Sequence, residues 1–232
     1  GPAARGRDLG KRSPDDTTPS RQSSPFGIHD LGDDRSAAGI GPAFGQTDAG
    51  RLLALCEEAT ALGIEEVKPA FDHSLLFFGE ASACRTLTDI ASSGDFVISA
   101  EDPRTRIAAC PGSPACASAT IATHELASWA ATECGDLLDG SFKLHVTGCA
   151  KGCAHPQPSP LVLCGGDRGL NLIAGRAADQ AFVSIPPDAT QAALTQLAAL
   201  VKAERRPQEQ SAACLARLGP KQIATHLMSG HP

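Results

Sequence analysis

The chain has 232 residues, enough for one large or two small domains, and its 42% apolar residues can form a substantial core. Aromatic residues make up only 4%, so this core must consist of Leu, Ile, Val and Ala. The net charge of −6 and the pI near 5.6 argue against a nucleic-acid-binding protein, which would present a basic face. No apolar run approaches the roughly 20 residues that cross a bilayer. No signal peptide is visible, so the sequence predicts a cytoplasmic protein with no membrane partner.

The first 38 residues differ in composition from the rest of the chain. They are rich in Gly, Pro, Ser, Asp and Arg and show no apolar periodicity, so residues 1–38 are predicted to be a disordered linker or arm. The chain begins with Gly1, and its one methionine is Met228. We therefore expect a processed or incomplete polypeptide.

Residues 39–102 are predicted to form a ferredoxin-like half-domain. Apolar residues at helical spacing follow a capping residue, Thr47 or Asp48, and Gly63 ends this helix. Short apolar runs on either side predict strands. The resulting order is β-α-β-β-α-β, with elements at residues 40–44, 48–62, 64–70, 74–78, 81–92 and 95–99.

Residues 103–205 are predicted to be a second α+β domain, followed by a helical tail over residues 206–232. A helix is expected at 116–134, and Pro187 suits the first turn of another that extends past Val201. Strands are expected at residues 142–146, 161–164, 169–173 and 182–185.

Four cysteines in two pairs carry the main chemical signal. Cys110 and Cys116 form a Cys-x5-Cys pattern, and Cys149 and Cys153 form Cys-x3-Cys. Thiolates are soft ligands, and four of them are what an iron–sulfur cube needs. Structural zinc ligands usually lie two to four residues apart in each pair. The spacing therefore favours a [4Fe–4S] cluster over zinc or metal-free thiols.

The other cysteines and two of the histidines have no such spacing. A free cysteine usually behaves as a small buried apolar residue. His124 and His145 are expected to be ordinary packing or surface residues. The same apolar role is predicted for Cys56, Cys84, Cys134, Cys164 and Cys214.

The residues within the two cysteine pairs resemble those of a known family. The run Gly148-Cys-Ala-Lys-Gly-Cys-Ala-His-Pro156, together with Cys110-Pro-Gly-Ser-Pro-Ala-Cys116, resembles the precorrin-3B synthases of the nitrite/sulfite reductase superfamily. The resemblance covers about residues 40–205. Because that family consists of two similar halves, it implies that this chain is the C-terminal half. A first-half chain or a reductase is then the expected protein partner.

The resemblance also implies an activity and its cofactors. Precorrin-3B synthases are monooxygenases of cobalamin biosynthesis that hydroxylate precorrin-3A and close a lactone with oxygen and NADH. They use a [4Fe–4S] cluster, here on the four cysteines, and a second iron. Where siroheme is present in the superfamily, the last cysteine, here Cys153, faces its iron.

A polycarboxylate tetrapyrrole needs cationic partners, and the sequence offers several. Two of them stand where the superfamily tends to have arginines, two precede the first cysteine pair, and two lie in or after the second. These candidate substrate residues are Lys68, His73, Arg104, Arg106, Lys151 and His155, and His155 is also a candidate ligand of the second iron. No catalytic residue is assigned.

Two other functions remain open from the sequence. One is a siroheme-dependent sulfite or nitrite reductase, although those enzymes typically have Pro-Asn where this chain has Ala150-Lys151. The other is a non-catalytic iron–sulfur electron-transfer module, because half of a pocket is not expected to hold a large substrate.

Overall fold

Residues 24–229 are described by a computed structural model, and they form two sheets with helices packed against them. The first unit comprises β1 (Gly27–Gly32), β2 (Arg35–Pro42), α1 (Ala49–Ala61), β3 (Glu66–Pro69), β4 (Leu75–Glu80), α2 (Ala81–Ser93) and β5 (Phe96–Val97). The second unit comprises β6 (Ile107–Ala109), α3 (Thr123–Glu133), β7 (Leu144–Thr147), β8 (Ser159–Gly166), β9 (Gly169–Gly175), β10 (Val183–Ile185), α4 (Thr190–Glu204) and α5 (Ser211–Ser229).

The first sheet is antiparallel, with strand order β1-β2-β4-β3, and β5 pairs with the end of β2. Alternate residues of β2 and β4 point toward α1 and α2, where they meet apolar helix residues. This core is formed by Ala38, Ile40, Leu55, Ala59, Ile64, Phe77, Cys84, Leu87, Ala91 and Phe96. The predicted β-α-β-β-α-β order is therefore confirmed, with β1 added in front.

The predicted disorder of residues 1–38 is partly outside the described residues, since these begin at 24. For residues 24–38 the prediction is wrong, because β1 and β2 form a hairpin there and Ala37 and Ala38 are buried. The sequence Ser36-Ala-Ala-Gly lacks large apolar residues, so its composition resembles a linker. The close approach of the chain requires a glycine at position 39, since a Cβ there would overlap the backbone carbonyl of Pro25.

Of the two predicted N-cap residues, Thr47 and Asp48, Asp48 caps the first helix in the structure. Its side-chain carboxylate accepts a hydrogen bond from the Arg51 backbone N–H at 2.9 Å. We expect Asp48→Ala to lower the free energy of unfolding by about 1 kcal/mol, since the replaced oxygen satisfies a helix-terminal donor. Urea unfolding followed by circular dichroism measures this. As a control, Asp89→Ala on the exposed face of α2 should cost nothing, and an equal loss in both variants would contradict the capping role.

The second sheet has strand order β10-β9-β8-β7-β6. Strands β6, β7 and β8 run parallel, whereas β9 and β10 complete the sheet antiparallel. Helices α3, α4 and α5 supply apolar residues to the larger core. Its fully buried large side chains are Leu137, Leu138, Leu144, Leu161, Leu163, Leu170, Leu172, Leu194 and Leu197.

One helix prediction in this unit changes. The helix expected at 116–134 begins only at Thr123, because the Thr120 N–H donates to the Gly148 carbonyl and the Ile121 carbonyl accepts from the Ser113 N–H instead of from a helix. The predicted helical tail is confirmed as α5, which is interrupted at Gly219 (φ 71°) before Pro220. Within residues 24–229, none of the helices combines the length and apolar character needed to cross a bilayer.

Candidate functional site

The two cysteine pairs lie on loops that leave the same edge of the second sheet. Cys110 directly follows β6, and Cys149 follows β7 by two residues. Ala109 of β6 stands opposite Val146 of β7 in parallel register. Because neighbouring parallel strands end at the same edge, the fold brings both loops together although they are distant in sequence.

Four hydrogen bonds join these loops, one of them from the Thr120 hydroxyl to the Gly148 carbonyl at 3.4 Å. The Gly148 backbone N–H donates to the Cys110 Sγ at 3.2 Å, which is a charge-stabilising contact for a thiolate. The Thr120 N–H donates to the Gly148 carbonyl at 2.9 Å. Lys151 Nζ lies 3.0 Å from Ser118 Oγ and so links the Cys149–Cys153 loop to the segment after Cys116.

Two glycines allow the cysteine loops to approach the rest of the fold. Gly112 has φ +66°, and a Cβ there would lie 2.6 Å from the Thr123 backbone nitrogen. Gly152 has φ +62°, and its Cβ would lie 3.0 Å from that of Ala177. A side chain at either position would meet both a left-handed backbone and a close neighbour.

The four thiols differ in exposure. Cys110 is buried, Cys116 and Cys149 are half-buried, and Cys153 is exposed. In the described part of the chain, no three His, Cys, Asp or Glu side chains are gathered to hold a single metal ion. A four-iron cluster does not require such convergence, because each thiolate binds a different iron. The donor set and the N–H bond to Cys110 fit a cluster of this kind.

A cleft of about 520 Å³ opens beside the cysteine loops, between the two units. It runs along the first cysteine loop at Cys110 and Pro111 and reaches Cys153. Its apolar wall consists of Phe26, Pro42, Phe44, Val97 and Ile107. Its polar lining consists of Gln46, Asp72, His73, Arg104, Thr105, His124, Lys143 and His155.

Three of the six predicted substrate residues line this cleft: His73, Arg104 and His155. The Arg104 guanidinium is already occupied, since it lies 2.7 Å from an Asp102 carboxylate oxygen and 2.6 Å from one of Asp95. The hydrogen bond with Asp102 raises the pKa of Arg104 against the effect of burial. Arg104 is therefore better placed to brace the cleft wall than to bind a ligand.

The other three predicted residues lie outside the cleft lining. Lys68 is exposed on β3, 2.6 Å from Glu66 and over the ring of Phe78. Arg106 donates to the Leu138 carbonyl. Lys151 bridges the two loops, as described above. Lys68 and Arg106 therefore contact other partners, Lys68 on its own strand and the neighbouring one and Arg106 at a carbonyl far away in sequence.

Lys143 is the cation in the cleft that the sequence did not single out. It directly precedes β7, and its ammonium donates to the Thr105 carbonyl at 2.6 Å and lies 3.4 Å from Asp72 Oδ1. Lys143 lies two residues before His145 on an extended segment, so the sequence places both side chains on one face of the strand. The sequence alone does not tell which of the two faces meets the cleft.

Three non-glycine residues with left-handed backbone conformations line the same cleft. Phe44, Asp72 and His73 all adopt left-handed φ angles, of 55°, 52° and 60°. The His73 ring lies against Gly45, where a Cβ would lie 2.6 Å from its Cγ. Such conformations are costly for residues other than glycine and cluster at ligand-binding sites.

His145 lies beneath the second cysteine loop. It is 0% exposed, and neither ring nitrogen has a hydrogen-bond partner within residues 24–229. A Cβ on Gly152 would lie 3.5 Å from His145 Cε1, so the edge that carries both nitrogens faces the loop. Burial, with a smaller effect of His155, lowers the pKa of His145 to about 4. The predicted packing role is thus incomplete, because buried nitrogens normally have partners.

Among the other cysteines, Cys164 is influenced by two of the loop cysteines, Cys110 and Cys149. It is buried on β8 opposite Thr147, and burial raises its pKa to about 11, with smaller effects of Cys149 and Cys110. The predicted role as a buried apolar residue is confirmed for Cys84, Cys134, Cys164 and Cys214, whereas Cys56 is half-buried.

Comparison with known proteins places this geometry in context. No family model matches the chain. A curated protein named precorrin-3B synthase, from Sinorhizobium sp, is 35% identical over 210 residues, which are 88% of this chain and 45% of that protein. The chain therefore spans about half the length of this relative. The solved structure of the NirA protein of Mycobacterium tuberculosis superposes with a TM-score of 0.66, covering 85% of this chain and 41% of that chain at 15% identity.

The two comparisons agree with the predicted α+β fold class. NirA is a nitrite/sulfite reductase family member, and at this identity the likeness concerns the fold. The relative at 35% identity extends the likeness to the sequence itself. Over 88% of its length the chain is therefore similar in sequence to part of a protein named precorrin-3B synthase, and its fold is similar to that of NirA.

Proposed function

We propose that this chain is the iron–sulfur-binding half of a precorrin-3B synthase-type oxidoreductase of cobalamin biosynthesis. The observation that carries the proposal is the junction of the two cysteine loops, where the Gly148 N–H donates to Cys110 Sγ at the shared edge of β6 and β7. The curated relative named precorrin-3B synthase supports the choice of this branch.

In this proposal Cys110, Cys116, Cys149 and Cys153 hold a [4Fe–4S] cluster. When bound, the cluster supplies one-electron transfer at a potential tuned by burial and by hydrogen bonds to its sulfurs. The chain contributes the thiolates and the Gly148 N–H donor. Lys151 adds a positive charge within the second loop, which favours an anionic cluster.

The cleft beside Cys153 is the proposed place of the tetrapyrrole, precorrin-3A. Its apolar wall suits the macrocycle, and His73, Lys143 and His155 suit its carboxylates. Its volume of about 520 Å³ leaves room for part of such a ligand. The remaining surface would come from a segment equivalent to the part of the curated relative that this sequence does not match, or from a second chain.

Oxygen, NADH and a second iron complete the proposed reaction, in which the substrate is hydroxylated and a lactone closes. His155 remains a candidate for the second iron, with its ring 5.8 Å from that of His145. A reductase is the proposed route by which NADH-derived electrons arrive. The lining of the cleft by Cys153 also favours a second candidate function, a siroheme-dependent sulfite or nitrite reductase.

Replacing Cys149 with Ser tests the cluster. After reconstitution with iron and sulfide under anaerobic conditions, we expect the wild-type chain to show broad visible absorption and iron content that the variant loses. Cys56→Ser, at a half-buried thiol on α1, is the control and should retain both. Equal iron and absorption in wild type and Cys149→Ser would refute the cluster assignment. Sharp, intense bands after siroheme is added would favour the reductase.

A further inference from the structure

Lys143 joins the two units at the cleft. It precedes β7 of the second unit, whereas Asp72 lies on the turn between β3 and β4 of the first. The Lys143 ammonium lies 3.4 Å from Asp72 Oδ1 and donates to the Thr105 carbonyl at 2.6 Å. An ammonium has three donors, so one N–H remains for a further acceptor.

Among the charged side chains of residues 24–229 that line the cleft, Lys143 is the permanent cation that can still bind a ligand. Arg104 is neutralised by Asp102 and Asp95, as described above. Among the described residues that line the cleft, Asp72 is the one carboxylate.

The ion pair between Lys143 and Asp72 is weak enough for another carboxylate to replace Asp72. Its side chains are 36% and 52% exposed, and ion pairs of this kind typically contribute about 0.2–1 kcal/mol. Asp72 also sits on a left-handed turn with His73. A ligand carboxylate that is partly shielded from water inside the cleft can therefore replace Asp72 at little cost.

We propose that Lys143 binds a carboxylate of the ligand in the cleft, and that Asp72 holds the ammonium in position until that carboxylate replaces it. The identification of the ligand as a tetrapyrrole rests on the proposed function. The chemical class that the site selects is a carboxylate on an otherwise apolar body, since Phe26, Phe44 and Ile107 line the same cleft.

The proposal predicts opposite effects for the two partners. With coproporphyrin III, a tetracarboxylate, as a fluorescent probe, Lys143→Met should weaken binding about three- to tenfold. Asp72→Asn should tighten it about two- to fivefold, because it removes the competing carboxylate. In the double variant the gain should disappear, leaving the affinity of Lys143→Met. Lys143→Arg should retain most of the affinity, since the positive charge is kept.

A matched ion pair elsewhere provides the control. Lys202 lies 3.3 Å from Asp136 on the surface of the second unit, away from the cleft, so Lys202→Met should leave porphyrin affinity unchanged. Circular dichroism of each variant shows whether it folds. The tetramethyl ester of the probe, which lacks the carboxylates, should bind equally to wild type and Lys143→Met.

Three outcomes would overturn the proposal. These are no binding of the probe by the wild-type chain, an unchanged affinity in Lys143→Met, or weaker binding in Asp72→Asn. The cluster is tested separately by the iron content of Cys149→Ser. A chain that binds the porphyrin through Lys143 but takes up no iron would refute the proposed function and leave this inference intact.

Discussion

Replacing Gly112 with Ala is expected to lower the free energy of unfolding by about 2–5 kcal/mol, as a left-handed backbone and an overlap act together. The φ of Gly112 is +66°, and the new Cβ would lie 2.6 Å from the backbone nitrogen of Thr123. Thr123 donates to the Cys110 carbonyl, so the displacement also reaches the first cysteine. Urea unfolding followed by circular dichroism measures the stability, and anaerobic reconstitution measures the iron retained.

Gly63 is the control that separates the cost of a left-handed backbone from the cost of steric overlap. Gly63 has a similar φ of +77°, but a Cβ there would meet nothing within 4 Å. Gly63→Ala should therefore cost only the left-handed backbone term, about 1–2 kcal/mol, and should leave iron uptake unchanged. If Gly112→Ala destabilises the chain no more than Gly63→Ala, the close packing of the first cysteine loop against α3 is not supported.

Acidification is expected to destabilise the chain through His145. Burial lowers its pKa from the usual 6.5 to about 4, so the unfolded chain takes up a proton below about pH 6.5 while the folded chain does not. The stabilisation is therefore fully present above pH 6.5 and is lost as the pH falls toward 4. The full difference corresponds to about 3 kcal/mol, and about 2 kcal/mol should be lost by pH 5.

The variant His145→Gln tests this origin. Urea unfolding at pH 7.5 and pH 5.0 measures the stability of each protein at both ends of the relevant range. Glutamine does not titrate, so the variant should lose about 2 kcal/mol less than the wild type between these pH values. Asp139 and Glu209, with pKa values of about 2, titrate below this range. Equal losses in both proteins would show that His145 is not the responsible group.

Elements that depend on short-range spacing were predictable. The helix capped by Asp48 and ended by Gly63 forms as α1, because caps and apolar periodicity act within a few residues. Predictions based on composition failed where side chains are small. Residues 35–38 belong to β2 and are mostly buried, although they lack the large apolar residues that usually mark a core strand.

Predictions of the substrate-binding residues were less complete, because the direction of a side chain depends on partners far away in sequence. Arg104 was a reasonable ligand for a carboxylate, but Asp95 and Asp102 occupy its guanidinium. Lys143 was not predicted, although it lines the cleft. His145 was expected to pack ordinarily, yet its burial without partners arises from the loop that folds over it.

The amino-acid sequence by itself determined which thiol ligands this chain offers, since the spacing and type of Cys110, Cys116, Cys149 and Cys153 are local properties. It also predicted most helices and strands from their apolar periods, although not β1 or β6. Only the tertiary structure decided which cations face the cleft and which are neutralised. The physical reason is that parallel pairing of β6 with β7 and the packing of the two units join residues far apart in sequence, and no local pattern encodes those contacts.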